Sequence, residues 1–191
     1  MTKSIIIDNV EIRPIDDGLT HINVYSNANT ELGRWLSNFS VTWTETDLGK
    51  FASLEGYYHY RKALRVINPK TVEHDLAVLI NRLKAADGFT AKLLGNKIRK
   101  TANKYGLKLI DLPDEAFNKD FEEALFNKMS SDLDKLSEYF DEISSGTIFV
   151  HYYNYGGEVM YKPHFKWLIE RLESIQSRLR IHYENNVIGA I

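Results

Sequence analysis

The chain contains no cysteine. That excludes disulfides, thiolate zinc sites and cysteine nucleophiles, and it fits a cytoplasmic protein. Prolines number only 4 among 191 residues, and no Pro/Gly/Ser-rich linker divides the chain. One domain is therefore expected over 1–191, its core spanning about 20–181 behind an N-terminal extension at 1–19. Long apolar runs are missing too. The apolar part of MTKSIIIDNVEI is too short for a signal peptide, and nothing approaches the ~18 apolar residues of a membrane span, so no membrane partner is expected. Nor does one sign of charge dominate. Lys+Arg 24 against Asp+Glu 26 gives a net charge of -2, which argues against a broad nucleic-acid face but leaves room for a local basic patch. Gly-x-Gly-x-x-Gly and phosphate-loop patterns are absent. His74, His164 and His182 are isolated and form no zinc-like spacing, so neither a metal nor a cofactor is expected.

What the chain does have is aromatic residues, Tyr 11, Phe 9 and Trp 3, within a hydrophobic fraction of 43% that supports a real core. The ends read as extended: Ile5 to Ile7, HINVYS with Ile22 and Val24 on one face, SVTWT, and TIFVHYYNYGGEVMY with Gly156-Gly157 as a turn. The middle reads as helical. Tyr57, Tyr60, Leu64 and Ile67 form one stripe, and Val72, Leu76, Leu79 and Leu83 a second, with Pro69 suited to the latter helix's first turn. Thr90 is the expected cap of a short helix through AKLLGNKIRKTANKYG that ends at Gly106. Two further helices follow over LPDEAFNKDFEEALFNKM and around Leu133, Leu136, Phe140 and Ile143, and a last one carries Phe165, Leu168, Leu172, Ile175 and Leu179. This pattern predicts an α+β domain, mainly helical with a small β-sheet.

Three segments concentrate chemistry-bearing side chains. In GRWLSNF, between an acidic-polar run and a predicted strand, Arg34, Trp35, Ser37, Asn38 and Phe39 crowd one stretch that reads as neither surface loop nor clean helix or strand. It fits a ligand wall or an awkward piece of core. In FASLEGYYHYRKAL, Glu55, Tyr58, His59 and Lys62 fall on one line of the helix, nearly opposite its apolar stripe. Glu55 to Lys62 spans two turns, roughly 10 Å. That line is either a solvated charged face with a Glu55–His59 contact or the wall of a cleft, and spacing does not separate the two. In FVHYYNYGG, strand alternation puts His151, Tyr153 and Tyr155 on one face and Tyr152 and Asn154 on the other. That segment fits a tyrosine-rich edge strand or a stacking surface for a flat heterocycle. A fourth feature, the basic run Lys97, Arg99, Lys100 and Lys104, reads as a solvated face or as a contact to DNA or to substrate phosphates.

In order and spacing, INVYSNANTELGRWLSNF, FASLEGYYHYRKAL and AKLLGNKIRK resemble the NADAR family of YbiA-like proteins. The shared features are Tyr25-Ser26, Ser37-Asn38-Phe39, Glu55 with Tyr58 and Lys62, and Ala91 with Gly95; EALFNK matches a later helix more loosely. Many members carry Asp-x-Tyr-Trp-Gly after the last strand. This chain has HYYNYGG there, with no carboxylate before Glu158, which resembles a divergent, phage-type branch. The resemblance implies a cytoplasmic N-glycosidase, in the bacterial host's cytoplasm if phage-encoded, that hydrolyses a ribose C–N bond in an ADP-ribosyl or ribosyl-phosphate substrate. ADP-ribosylated guanine in DNA and a riboflavin-pathway intermediate are both such substrates, and a module that binds ADP-ribose or NAD without cleaving it is the further alternative. Glu55, Lys62 and His151 are the expected catalytic residues. Substrate contacts are expected from Arg34, Trp35, Ser37, Asn38, Phe39, Tyr58, His59, Tyr153, Asn154 and Tyr155. Trp35 fits core packing as well as stacking, and His151 fits a structural hydrogen bond as well as a ligand contact.

Overall fold

The computed structural model describes residues 4–111, 113–155 and 158–188. In chain order the elements are β1 (Ile5–Ile7), β2 (Val10–Ile12), β3 (His21–Asn23), α1 (Glu31–Leu36), β4 (Thr44–Thr46), β5 (Gly49–Phe51), α2 (Leu54–Leu64), α3 (His74–Arg82), α4 (Gly88–Lys104), α5 (Glu115–Ser130), α6 (Leu133–Ser144), β6 (Ile148–Val150), β7 (Tyr153–Tyr155), β8 (Glu158–Met160) and α7 (Lys166–Ile188). The architecture is mixed α and β and mainly helical. Among the described residues, the strands form four two-stranded pairs, β1–β2, β4–β5 and β7–β8 antiparallel and β3–β6 parallel. The chain divides into two compact units, one of Met1–Ser37 with Met129–Ile191 and one of Asn38–Lys128. One division falls inside GRWLSNF and the other inside α5.

In the first unit, β3 pairs with β6 in the register His21↔Ile148 and Asn23↔Val150. Ile22 and Val24 are buried, but so are His21 and Asn23. The alternation expected for HINVYS is therefore corrected to a strand buried on both faces, as parallel pairing favours. Its polar side chains are satisfied internally. His21 Nε2 lies 3.0 Å from the Tyr152 hydroxyl and Nδ1 lies 3.1 Å from Thr20 Oγ1. The Asn23 side chain both donates to the Tyr152 carbonyl and accepts from the Tyr152 N–H, each at 3.2 Å. Burial pulls the His21 imidazole below its usual range.

GRWLSNF begins as a helix. Residues Glu31–Leu36 form α1, capped by Thr30, whose hydroxyl accepts from the Gly33 N–H at 3.0 Å. A Cβ at Gly33 would overlap the Asn23 carbonyl, so glycine lets α1 sit directly on β3. The cap lies within the acidic-polar run and the helix has six residues, too few for a periodic signal.

The second unit packs α2 against α4, α3 and the Leu83–Ala85 turn. Ser53 caps α2, accepting from the Gly56 N–H at 3.1 Å while donating to the Ala86 carbonyl at 2.8 Å. Tyr57 and Phe51 are buried together with Phe117 and Phe121 of α5. Three local expectations are corrected. SVTWT gives its strand only from Thr44. Pro69 precedes α3, which starts at His74 after a turn. The cap of α4 is Asp87, which accepts from the Thr90 N–H at 2.8 Å and so starts a 17-residue helix earlier than Thr90 would; Gly106, at φ 73°, follows it. The expected Gly156-Gly157 turn lies outside the described residues. No helix among the described residues is long and apolar enough to cross a membrane.

Candidate functional site

Six of the predicted site residues belong to the second unit, and the structure brings them into one neighbourhood. The polar line of α2 is not a solvated face. Side-chain exposure is 14% for Glu55, 11% for His59 and 4% for Lys62. Glu55 Oε1 lies 3.2 Å from His59 Nε2, one turn along the helix. Glu55 also sits in the first turn behind the Ser53 cap, where the helix's N-terminal partial charge attracts an anion. Lys62 Nζ pairs with Asp111, whose carboxyl this contact pulls below its usual range. Tyr58 is half-buried between the edges of His59 and Phe117, at 5.2 and 5.6 Å. Burial, aided by Glu55 and Asp111, raises its phenol above the ordinary value.

The wall beside this row is α4. A Cβ at Gly95 would overlap the His59 ring, and a Cβ at Gly88 would overlap Phe39. Glycine at these two positions lets α4 close on α2 and on the Asn38–Phe39 segment. The Asn38 carbonyl accepts the Glu55 N–H at 3.0 Å, satisfying one of the donors that a helix start leaves unpaired. Asn38 Oδ1 is buried and has no hydrogen-bond partner among the described residues. An acceptor left in that state costs about 1–3 kcal/mol, so it stands out beside a half-buried carboxylate. Phe39 packs edge-on against Phe89 at 5.1 Å, with Lys92 Nζ 5.5 Å over its ring. Asn38 and Gly88 mark the N-terminal ends of α2 and α4, His59 and Gly95 their middles, and Lys62, Asp111 and Arg99 their far ends, where Arg99 lies 3.9 Å from Asp111.

The other seven belong to the first unit. Arg34 is exposed, and its Nη1 donates to the Ala28 and Asn29 carbonyls at 2.7 and 2.9 Å, fastening the turn before α1. Trp35 is half-buried and Ser37 buried. His151 Nδ1 lies 2.5 Å from the Val24 carbonyl. A carbonyl only accepts, so Nδ1 carries the proton there. His151 also meets Tyr25, Tyr153 and Phe165 edge-on. Tyr152 faces His21 instead, and residues 151 and 152 join β6 to β7 where one continuous alternating strand was expected. Asn154 and Tyr155 are exposed. A cavity of about 360 Å³ in this unit is lined mainly by apolar residues such as Ile148, Val150, Ile169 and Leu172, and His151 is the one candidate residue on its wall.

Three residues of note escaped sequence reasoning. Asp111 is 49 positions from Lys62, and no local pattern announces it. Ser53 could have been read as a cap from Ser-Leu-Glu-Gly. Lys128 is fully buried, and burial pushes its ammonium down to about 7. It continues the helical spacing Phe117, Phe121, Ala124 into α5's buried face, which is the signal that would have found it.

Compared with known proteins, the chain matches no family model, no curated protein and no solved structure.

Proposed function

We propose that the chain is an N-glycosidase that hydrolyses a ribose C–N bond of an ADP-ribose-type substrate, with ADP-ribosylated guanine in DNA as the leading form. The observation that carries this reading is the enclosed row of Glu55, His59 and Lys62 on α2, beside the unpartnered Asn38 Oδ1. Breaking the bond leaves its electron pair on the departing nitrogen and builds oxocarbenium charge on the ribose. A carboxylate beside the ring stabilises that charge and takes a proton from the attacking water. Glu55 has this role, and His59 fixes its orientation. The water oxygen bonds to the ribose carbon, and the leaving nitrogen takes up a proton from solvent. Lys62, lifted off Asp111, supplies a cation for a phosphate or pyrophosphate, and Asn38 Oδ1 accepts from a ribose hydroxyl or a base N–H. Tyr58 and Phe39 offer ring faces for the base.

A second reading, a module that binds ADP-ribose without cleaving it, draws on HYYNYGG, which has Asn154 or Tyr155 where the resembled family's motif carries an acidic residue. The test is incubation of the purified protein with three substrates: an oligonucleotide carrying ADP-ribosylated guanine, free ADP-ribosyl guanosine, and a ribosylated riboflavin precursor. Released sugar is read by mass spectrometry. Release of ADP-ribose from the guanine substrates supports the proposal, and release from the precursor alone moves the function to metabolite hydrolysis. ADP-ribose binding without any release supports the module.

A further inference from the structure

We propose that the cavity of the first unit is a binding site for a small apolar amine, whose ammonium is held by Glu173 and the Tyr139 hydroxyl. At about 360 Å³ the cavity falls at the lower end of the ~300–1,000 Å³ range of small-molecule sites, which suits a compact ligand rather than a length of chain. Its hydrocarbon walls are Ile7 and Val10 of the β1–β2 hairpin, Ile143 of α6, and Ile169 and Leu172 of α7. The remaining wall is the edge of β6. Residues 146–151 all border the cavity. Consecutive strand side chains point to opposite faces, so a cavity that every one of them borders lies along the strand's edge. Among the described residues β6 pairs with β3 alone. The Val150 carbonyl accepts the Val24 N–H at 2.7 Å. Val150 therefore turns its backbone groups toward β3, and Phe149 turns its own toward the open edge.

The polar groups on the walls decide the ligand's chemistry. Tyr139 is 2% exposed, and its ring packs against Phe149 at 5.1 Å. Its hydroxyl has no hydrogen-bond partner among the described residues. Burial, aided by Glu173, raises the phenol above its ordinary value, so the hydroxyl keeps its proton and both donates and accepts. The charged side chains on the cavity wall are Asp8, Lys166 and Glu173. Asp8 and Lys166 neutralise each other, with Lys166 Nζ 3.2 and 3.0 Å from the two carboxylate oxygens. Glu173 has no cation within salt-bridge reach among the described residues. The His151 proton on Nδ1 is committed to the Val24 carbonyl. One negative charge is therefore left uncompensated beside an unpartnered hydroxyl. It repels an anionic ligand and goes unused by a neutral one. An ammonium pairs with it and donates a further hydrogen bond to the Tyr139 oxygen, while the ligand's hydrocarbon body takes the apolar walls out of water.

The experiment titrates the full chain with three probes that share one hydrocarbon body: phenethylamine, phenethyl alcohol and phenylpropionate. Backbone amide resonances are followed by NMR up to about 10 mM, since ligands this small bind at millimolar strength or better. Expected is saturable amine binding, about tenfold or more tighter than that of the alcohol or the acid, with shifts centred on β6 and residues 172–176. Glu173→Gln should weaken the amine about tenfold and leave the alcohol within about twofold. Tyr139→Phe, which keeps the ring, should weaken the amine about threefold or more. Ile143→Trp, which fills the cavity from a half-buried position, should abolish binding of amine and alcohol alike. Folding of each variant is confirmed by thermal melting, and if Ile143→Trp unfolds, the two conservative variants decide. Any of four results would overturn the site: no saturable amine binding by the wild type, equal affinity for amine and acid, shifts away from the cavity walls, or wild-type amine affinity in Glu173→Gln. Glycosidase turnover is not a readout, so the amine site and the proposed function stand or fall separately.

Discussion

Two neighbouring helices of the second unit carry charged faces, and the two faces behave as opposites. On α2, Glu55, His59 and Lys62 are enclosed and tied to partners inside the protein. On α4, Lys97, Lys100 and Lys104 stand in solvent, with no carboxylate in salt-bridge reach among the described residues. In sequence both are polar residues at helical spacing opposite an apolar stripe. The difference is made by what packs on top. α2 is covered because glycines at 88 and 95 let α4 approach, whereas Lys97, Lys100 and Lys104 on α4 are exposed. Enclosure raises the worth of each charge–charge contact and the cost of breaking it. Charges left in water contribute little to stability and stay available to a partner.

The sharpest way to break this contrast is at Gly95. Gly95→Val forces a branched side chain into the His59 ring and should cost about 3 kcal/mol, at the upper end for overpacking, measured by urea unfolding. Next is Asp111→Ala, which leaves the enclosed Lys62 ammonium without its carboxylate and should cost about 1 kcal/mol by the same measurement. The sign with pH follows from that pair. The Lys62 contact lowers the folded-state value of the Asp111 carboxyl, so its contribution is complete above the ordinary aspartate value near ~3.9 and is lost as pH falls through the lowered folded value. Melting curves between pH 5 and about 2 should therefore show a steeper acid loss for wild type than for Asp111→Asn. The smallest effect is predicted on the other face: replacing Lys97, Lys100 and Lys104 with glutamine should change stability by no more than about 0.5 kcal/mol each.

Much of this was legible in the chain. The helical stripes of α2, α6 and α7 lie where their spacing put them, because long amphipathic segments bury one face whatever else happens. The line of Glu55, Tyr58, His59 and Lys62 was legible too, but its enclosure was not. Burial there depends on Gly95 reaching His59 and on Asp111, neither of which is marked by spacing on α2 itself. Short elements failed for a different reason. α1 has six residues, capped locally by Thr30 and held by a tertiary glycine contact to β3 that leaves no periodic signal. HINVYS followed the period of a half-buried strand but pairs in parallel with a distant one, so its polar residues His21 and Asn23 are buried and satisfied by Thr20 and Tyr152. Local propensity yields to tertiary pairing at such positions.

The central claim is that the enclosed row on α2 is the working site, and Glu55→Gln tests it most directly. The substitution keeps shape and hydrogen-bonding capacity but removes the carboxylate charge. Turnover of ADP-ribosyl guanosine and the dissociation constant for ADP-ribose should be measured side by side on wild type and variant. The prediction is a fall in turnover of about 100-fold or more, with ADP-ribose affinity preserved within about threefold. Turnover unchanged in Glu55→Gln, or a wild type with no turnover to lose, would contradict it.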